Sequence, residues 1–442
     1  ALAGVAAGMQ LAAAALTALL GCTVLLVLRR HGIPGAGWWA AIFLLAVPNI
    51  FYRHLMLRPH VISLAAAIAL LSVLVRGRWW QVTLLSAAIS WVHLSLFWMP
   101  LGIALAYSVV RIPVTVWFGR ESPDTGVSLR LAVPAAILGV TAGWLLRPDA
   151  MATAGLLNVQ LVQLFTQKTL NQPLTFAAEL SPASLAELAN TSGLFITAWL
   201  TTLGVVGYRL LSGRLDALGQ ARATLLFAAL AISVFFFGLT LISARRAMEQ
   251  WIAFGFLSLP LVWGLSGALR GARKWAVASL LVLHLGWAGY RHSLNVSLVA
   301  FPATTMQEVS GFLSEESDPG DVVFHTRWDN FGPLFAWNRT NVYLGGMDPI
   351  FQFTHDPQAF WEFFFLSADL TTEWTCNAYP CATGVALDTH LVLREHFGAR
   401  WVVVEPRRNP RLTLYLLNDP RYELALETQR ESVFEVLPEL GQ

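Results

Sequence analysis

Long apolar stretches recur along the first 300 residues and constrain the fold more than any other feature. A helix that crosses the hydrocarbon core of a bilayer needs about 20 consecutive, mostly apolar residues. Charged residues make up only 13% of the chain, whereas a soluble domain carries about 25%. The sequence therefore predicts about ten membrane-spanning helices, at 3–28, 37–52, 60–75, 79–94, 95–112, 130–146, 193–212, 223–243, 248–269 and 275–291.

The formal net charge of +2 conceals two regions of opposite sign. Residues 1–300 contain 20 Lys/Arg and 7 Asp/Glu, and residues 301–442 contain 9 Lys/Arg and 20 Asp/Glu. We expect a transmembrane helical domain over 1–300, with an outer loop at 147–192, and a soluble α/β domain over 303–442. The predicted fold class is thus a polytopic α-helical membrane protein with a small C-terminal extracytoplasmic α/β domain. No basic run interleaved with aromatic residues is present, so we predict no nucleic-acid partner.

Strand and helix patterns alternate in the predicted soluble domain. Short runs rich in Val and Phe at 321–326, 400–405 and 432–437 are typical of buried strands. The segments 358–366 and 390–397 have helical patterns. This order predicts a small α/β layer.

Two of the three cysteines, Cys376 and Cys381, lie close together in the same domain. Asn377 and Pro380 between them favour a turn that brings the two ends together. We expect a disulfide bond if the domain faces an oxidising compartment.

Basic residues concentrate in loops that fall on one side of the membrane if the predicted spans alternate. These loops are at 29–36, 76–78, 113–129, 213–222 and 270–274. Because Lys and Arg favour cytoplasmic loops, we expect an inner (plasma) membrane protein whose C-terminal domain is extracytoplasmic. The chain begins at Ala1 on the predicted outer side, and we expect an odd number of upstream spans to be missing.

One cationic segment contradicts this distribution, because it lies where two spans meet on the predicted outer side. It contains Arg53, His54, Arg58 and His60. Charges at membrane depth are costly and usually mark a site. In a functional interpretation, the arginines bind a lipid phosphate. In a structural interpretation, the side chains lie at the membrane interface and extend toward water.

Further cations occur on the same predicted side. Arg245 and Arg246 lie between the eighth and ninth spans, where Glu249 can pair with either of them. Arg147 follows the sixth span, and Lys168 lies in the long loop. Several separated cationic segments on one face predict a shared anionic ligand.

Three other residues are candidates for chemistry. His93 lies near the outer end of a broken span and can bind a hydroxyl or phosphate, transfer a proton or have a structural role. Glu179, in the outer loop, and Asp329, after a predicted strand, are the candidate catalytic carboxylates; the alternative for Glu179 is a helix-end or capping role. No nucleotide or metal-hydrolase motif is present. No cofactor is predicted, and a divalent cation remains an open alternative.

These residues give the chain a resemblance to the GT-C superfamily of membrane glycosyltransferases, from about Trp38 onward. The resemblance rests on the Arg-x4-Arg-Pro segment at 53–59, the Trp-x-His segment at 91–93, the loop from Pro148 to Glu179-Leu-Ser-Pro, and the Arg pair at 245–246. The segments 328–331 and 343–349 are similar to the outer domain of uncharacterised bacterial relatives.

The resemblance implies transfer of a sugar from a polyprenyl-phosphate carrier to a glycan or lipid acceptor on the outer membrane face. An Asp or Glu would deprotonate the acceptor, and Arg would stabilise the departing phosphate. The family's catalytic carboxylate usually lies in its first external loop, and no residue here matches it. The alternatives are a transporter or flippase of an anionic lipid or glycolipid, for which no inverted repeat is visible, and a non-catalytic assembly subunit.

The predicted orientation is testable with single cysteines at 272 and 318 in a chain whose native cysteines are replaced by serine. In intact cells, an impermeant maleimide should label Asp318→Cys and should label Ala272→Cys only after permeabilisation. Labelling at 272 and not at 318 in intact cells would show that the chain has the opposite orientation in the membrane.

Overall fold

The computed structural model describes residues 2–438, with gaps at 46, 119–125, 171–177, 214–217, 265–272, 300–301, 303, 347 and 382–385. The chain divides into two compact units. One comprises Ala3–Leu157 and Ala178–Ala300, and the other comprises Asn158–Ala177 and Phe301–Gln442. The second unit therefore includes part of the segment 147–192.

The described secondary structure of the first unit is helical, with turns and loops between the helices. Its helices are α1 (Leu2–Arg30), α2 (Ala36–Leu45), α3 (Pro48–His54), α4 (Pro59–Arg76), α5 (Trp79–Val92), α6 (Met99–Phe118), α7 (Leu129–Leu145), α8 (Ala150–Leu157), α10 (Leu185–Leu211), α11 (Gln220–Ile242), α12 (Met248–Leu259) and α13 (Arg273–Val299). The helix α9 (Leu164–Thr169) belongs to the second unit.

Five helical segments among the described residues are long and apolar enough to cross a membrane, which indicates an integral membrane protein. They are Ala7–Arg30, Pro59–Arg76, Leu94–Phe118, Leu185–Leu211 and Gln220–Ile242. A sixth span arises if Leu129–Leu145 and the helix after it, bent by 111°, count together. Ten spans therefore remain a prediction.

One of the predicted spans is divided into two helices, and the described part of another changes its helical winding. The span predicted at 37–52 is divided between α2 and α3, and proline at position 48 begins α3. The span predicted at 248–269 gives the 12-residue helix α12, followed by a wider turn from Pro260 to Gly264. Proline interrupts the hydrogen bonding of a helix interior and favours its first turn.

The closest helix packing involves α5 and α7. Gly139 and Gly143 lie one turn apart on α7, and a Cβ atom on either would lie 2.3 Å from a backbone oxygen of α5. The oxygens are those of Thr83 and Ala87. Small residues at this spacing allow two helix backbones to approach each other in a membrane.

Basic residues from separate segments meet at one end of this unit. Arg76 donates to the carbonyl of Arg30 at 2.7 Å, and Arg222 donates to the carbonyl of His31 at 2.8 Å. Arg111, which is buried, donates to the carbonyl of Val127. The segments that carry these basic residues therefore lie together. That this end is cytoplasmic remains a prediction.

A five-stranded mixed sheet organises the second unit, in the order β2-β1-β5-β7-β6. β1 is parallel to β2 and β5, whereas β7 is antiparallel to β5 and β6. A separate antiparallel pair joins β3 and β4. The strands are β1 (Val322–His325), β2 (Val342–Tyr343), β3 (Trp374–Cys376), β4 (Ala386–Asp388), β5 (Ala399–Val404), β6 (Tyr422–Glu427) and β7 (Ser432–Val436).

Helices cover both faces of the sheet. Phe324, Val402 and Phe434 pack on one face with α17 and α19, and Val323 and Val403 pack on the other with α14 and α15. The helices of this unit, besides α9, are α14 (Gln307–Glu316), α15 (Phe331–Trp337), α16 (Pro349–His355), α17 (Pro357–Ser367), α18 (Thr389–Leu391) and α19 (Pro410–Asn418). The α/β domain predicted from the alternating patterns is confirmed.

The predicted disulfide bond between Cys376 and Cys381 is present, with Cα atoms 5.7 Å apart. Cys376 ends β3 and packs in an aromatic cluster with Phe360 and Trp361 of α17. Val159 and Leu164, from the segment 158–177, pack against the same cluster. This contact explains why that segment belongs to the second unit.

Because α5 and α7 are in close contact, we expect that one methyl group added between them strongly lowers the stability of the protein. Gly139→Ala should lower the free energy of unfolding by about 1–3 kcal/mol, because the new Cβ meets the Thr83 carbonyl and separates the helices. Denaturant titration in mixed micelles measures the change. Gly204→Ala is the matched control, because nothing lies within 4 Å of its Cβ position. Equal stability of the two variants would contradict this packing.

Candidate functional site

Three arginines from two helix junctions of the first unit converge on one carboxylate, that of Glu179. Arg53 is in the last turn of α3, and Arg58 immediately precedes α4. Arg246 is in a 3₁₀ turn, Arg245–Ala247, between α11 and α12. Glu179 is in another short turn, Ala178–Leu180, before α10. We call these four residues the Glu179 cluster.

Each arginine in the cluster donates a hydrogen bond to Glu179. The donor–acceptor distances to its carboxylate oxygens are 3.0 Å from Arg53, 3.0 Å from Arg58 and 2.6 Å from Arg246. Arg58 Nη1 contacts both oxygens. Such charge-assisted bonds are stronger than neutral ones, so the cluster joins three separate segments of the chain.

Local sequence sets the position of these segments. Arg58 precedes Pro59 and has an extended backbone, with φ −134° and ψ 148°, because the proline ring disfavours a helical conformation before it. The loop after Glu179 is attached to the α11–α12 junction. Ser181 accepts a hydrogen bond from the Arg245 amide at 2.7 Å, and Ala183 donates one to the Thr240 carbonyl at 2.9 Å.

Glu249, in the first turn of α12, extends the cluster into the interior of the unit. It is 1% exposed and accepts a hydrogen bond from Arg53. His60 Nε2 lies 3.8 Å from its other oxygen. The sequence allowed Glu249 to pair with Arg245 or Arg246. The structure shows neither pair, because those two side chains contact Glu187 and Glu179.

Arg245 pairs with Glu187 in the first turn of α10, at 2.8 Å. This pair is about one-third exposed, whereas Glu249 is buried. Sequence reasoning grouped Arg245 with Arg53, Arg58 and Arg246 and did not identify Glu187. The sequence could have indicated Glu187 as the partner of an arginine, because acidic residues are rare in residues 1–300.

The histidines predicted to lie near this site are buried or half-buried. His60 Nε2 contacts the Arg53 carbonyl at 3.2 Å. His93 Nε2 lies 3.1 Å from the hydroxyl oxygen of Ser95. His54 is completely buried, and its two ring nitrogens make no hydrogen bond among the described residues.

The remaining candidates have other partners or belong to the second unit. Arg147 donates to the carbonyls of Ser90 and Trp91, at 3.1 and 2.8 Å, and so caps the C-terminal end of α5. Lys168 and Asp329 belong to the second unit, where Asp329 pairs with Arg327. The capping role accounts for Arg147 without a ligand.

The electrostatics of the cluster favour an anionic ligand over proton abstraction. Burial by itself would raise the pKa of Glu179, but the guanidinium groups of Arg246, Arg53 and Arg58 outweigh burial and lower that pKa below its ordinary value. A carboxylate with a lowered pKa is a weak general base. The cluster and Glu249 together contain three formal positive and two formal negative charges.

Several hydrogen-bonding atoms in and beside the cluster have no partner among the described residues. They are Arg53 Nη2, Arg246 Nε and Glu249 Oε2, all buried. Buried polar groups are usually satisfied by protein, water or ligand. No group of three or more His, Cys, Asp or Glu in the described part of the chain is placed to hold a metal ion.

Comparison with known proteins does not identify the chain, because no protein-family profile and no curated protein matches it.

The buried pair of Arg53 and Glu249 predicts a large, asymmetric effect on stability. Arg53→Met should cost about 3–5 kcal/mol, because it leaves the buried Glu249 without a charge partner. Adding Glu249→Met should restore much of that loss, which a double-mutant cycle in denaturant titrations measures.

Arg245→Met is the control, since the exposed pair with Glu187 should contribute only about 0–1 kcal/mol. An Arg53→Met variant as stable as Arg245→Met, or additive effects in the double mutant, would show that the Arg53–Glu249 pair is not coupled.

Proposed function

We propose that this protein is a glycosyltransferase that moves a sugar from a polyprenyl-phosphate carrier to a glycan or lipid acceptor. In this proposal the Glu179 cluster binds the carrier's phosphate. The chain lies in the inner membrane with its C-terminal domain on the extracytoplasmic side, where the transfer takes place. The observation that carries the proposal is the convergence of Arg53, Arg58 and Arg246 on one carboxylate.

A phosphate can replace the carboxylate of Glu179 without rebuilding the site. Both groups present paired oxygens, and guanidinium donors fit both in the same fork geometry. Arg58 is 38% exposed at its side chain, so a ligand can reach it. Arg53 Nη2 and Arg246 Nε supply additional donors that are unused within the described residues.

The proposed reaction is a single displacement at the anomeric carbon. The acceptor oxygen forms a bond to that carbon as the bond to the phosphate oxygen breaks, and the carrier leaves as polyprenyl phosphate. The arginines stabilise the charge that develops on the leaving phosphate. A carboxylate takes the acceptor's proton.

Glu179 can be that base only after it leaves the arginines. While it is paired, its pKa is lowered by Arg246, Arg53 and Arg58 despite burial. When phosphate occupies the arginines, the released carboxylate loses this stabilisation and becomes more basic. Carrier binding would therefore generate the base at the moment when it is needed.

A transporter or flippase of an anionic lipid is the second candidate. Both carboxylates at the site, Glu179 and Glu249, are ion-paired, which favours binding without proton abstraction. Transfer of sugar to an acceptor in the presence of carrier distinguishes the two, because a flippase would leave the sugar–phosphate bond intact.

The affinity of the purified protein for polyprenyl phosphate in nanodiscs tests the phosphate site. Arg58→Ala should weaken binding by about tenfold or more, the effect of losing one charged hydrogen bond of roughly 1.5–3 kcal/mol. Arg58→Lys should weaken binding less, because it keeps the charge and loses the fork. Glu179→Gln should strengthen binding, because a neutral amide competes less with phosphate.

Arg245→Ala is the matched control, since this neighbouring arginine pairs with Glu187 and not with Glu179. Its affinity should stay within about twofold of wild type. Unchanged affinity in Arg58→Ala, or weaker binding in Glu179→Gln, would contradict the proposal.

A further inference from the structure

A second polar cluster lies in the second unit, at the carboxyl ends of the parallel strands β1 and β5. The chain leaves β1 through α15 on one face of the sheet and leaves β5 through α19 on the other. Where adjacent strands lead to opposite faces, a crevice opens at their carboxyl ends, and open α/β sheets bind ligands there. The side chains at the carboxyl ends of β1 and β5 are therefore candidates for ligand binding.

The segments after β1 and β5 form a connected hydrogen-bond network. Arg327 forms a two-bond ion pair with Asp329, and Asn330 donates to Glu405 at 3.2 Å. Arg408 contacts the other oxygen of Glu405 at 3.2 Å. Asn330 is only 3% exposed. The network holds planar amide, carboxylate and guanidinium groups in fixed orientations.

Three buried side chains at the ends of β1 and β2 have a polar atom with no partner in the described part of the chain. These atoms are His325 Nε2, Thr326 Oγ1 and Tyr343 OH. His325 is 0% exposed, and its ring centroid lies 6.5 Å from that of Tyr343. Unsatisfied buried polar atoms cost about 1–3 kcal/mol each. The two on the neighbouring rings of His325 and Tyr343 therefore indicate a position that a polar ligand completes.

The hydrogen bonding of His325 defines what such a ligand must offer. Its Nδ1 atom lies 2.6 Å from the Arg327 carbonyl oxygen, which can only accept, so Nδ1 carries the proton. Burial lowers the pKa of His325 to about 4, so the ring is neutral near pH 7 and Nε2 is an acceptor. Thr326 and Tyr343 carry hydroxyls that both donate and accept. A ligand hydroxyl can donate to His325 Nε2 and can form a hydrogen bond with the hydroxyl of Tyr343.

The net charge of this network and the exposure of Trp328 further limit the class of ligand that can bind. Asp329 and Glu405 balance Arg327 and Arg408, so the network has no net charge and does not favour a phosphate. Trp328, between these residues, is 36% exposed. An aromatic ring next to fixed polar groups fits a sugar, whose C–H face packs on the ring while its hydroxyls form hydrogen bonds.

We propose that the carboxyl end of β1 and β5 is a carbohydrate-binding site, with Trp328 as the stacking surface and Asp329, Asn330, His325 and Tyr343 as hydrogen-bonding groups. The inference deepens the proposed function, because it identifies the acceptor as a glycan, and it rests on that function only for the ligand's role as acceptor.

Binding of the full chain to immobilised oligosaccharides of mannose, galactose, glucose, arabinose and N-acetylglucosamine tests the site. The protein is held in nanodiscs, because alkyl-glycoside detergents would compete. Wild type should bind at least one of these oligosaccharides. Trp328→Ala should weaken that binding by about tenfold, as expected for a lost aromatic contact near 1.5 kcal/mol.

Two further variants separate binding from folding. Tyr343→Phe removes only a hydroxyl that has no partner in the described structure, so the fold should persist while binding weakens by about three- to tenfold. Trp374→Ala is the control, because Trp374 is 53% exposed on β3, outside the network. Its binding should stay within twofold of wild type.

The proposal is overturned if wild type binds none of the five oligosaccharides, or if Trp328→Ala and Trp374→Ala bind equally well. Polyprenyl-phosphate affinity measured on the same preparations separates the two proposals. If the protein binds an oligosaccharide but Arg58→Ala does not change the phosphate affinity, the proposed function is rejected and the carbohydrate site is not. Phosphate binding that depends on Arg58, without oligosaccharide binding, rejects only this site.

Discussion

The first unit depends on the ionic contact between Glu179 and three arginines. Arg53, Arg58 and Arg246 come from two separate helix junctions, and Glu179 joins them through hydrogen bonds of 2.6–3.0 Å. In an apolar surrounding, each guanidinium is costly without an anionic partner. The carboxylate therefore offsets a charge concentration that the surrounding apolar helices cannot stabilise, and a ligand phosphate can offset it in the same way.

The arginines at the two ends of the first unit have different kinds of hydrogen-bond acceptor. At one end, Arg76 and Arg222 donate to backbone carbonyls of other segments. At the other, Arg58 and Arg246 donate to a carboxylate on a short turn. A backbone carbonyl is part of the fold, whereas a side-chain carboxylate can turn away. We therefore propose that the carboxylate at this second end exchanges with an anionic ligand.

Sequence patterns predicted the features that depend on local periodicity and composition. The strands at 321–326, 400–405 and 432–437 and the disulfide are confirmed. The strand β6 was missed because it is an edge strand with mostly exposed residues, so it lacks a buried apolar run. The concentration of charge at residues 53–60 and 245–246 was visible from the sequence alone. Their partners were not, because the pairing of Arg53 with Glu249 and of Arg245 with Glu187 depends on how distant helices pack.

In the proposed function, the phosphate of a carrier lipid takes the place of the Glu179 carboxylate. A cryo-electron microscopy structure of the protein with polyprenyl phosphate in nanodiscs tests it most directly. We expect phosphate oxygens within about 3 Å of the Arg58 and Arg246 guanidinium groups, with Glu179 turned away from both. A phosphate bound elsewhere, with all three ion pairs of Glu179 intact, would contradict the account.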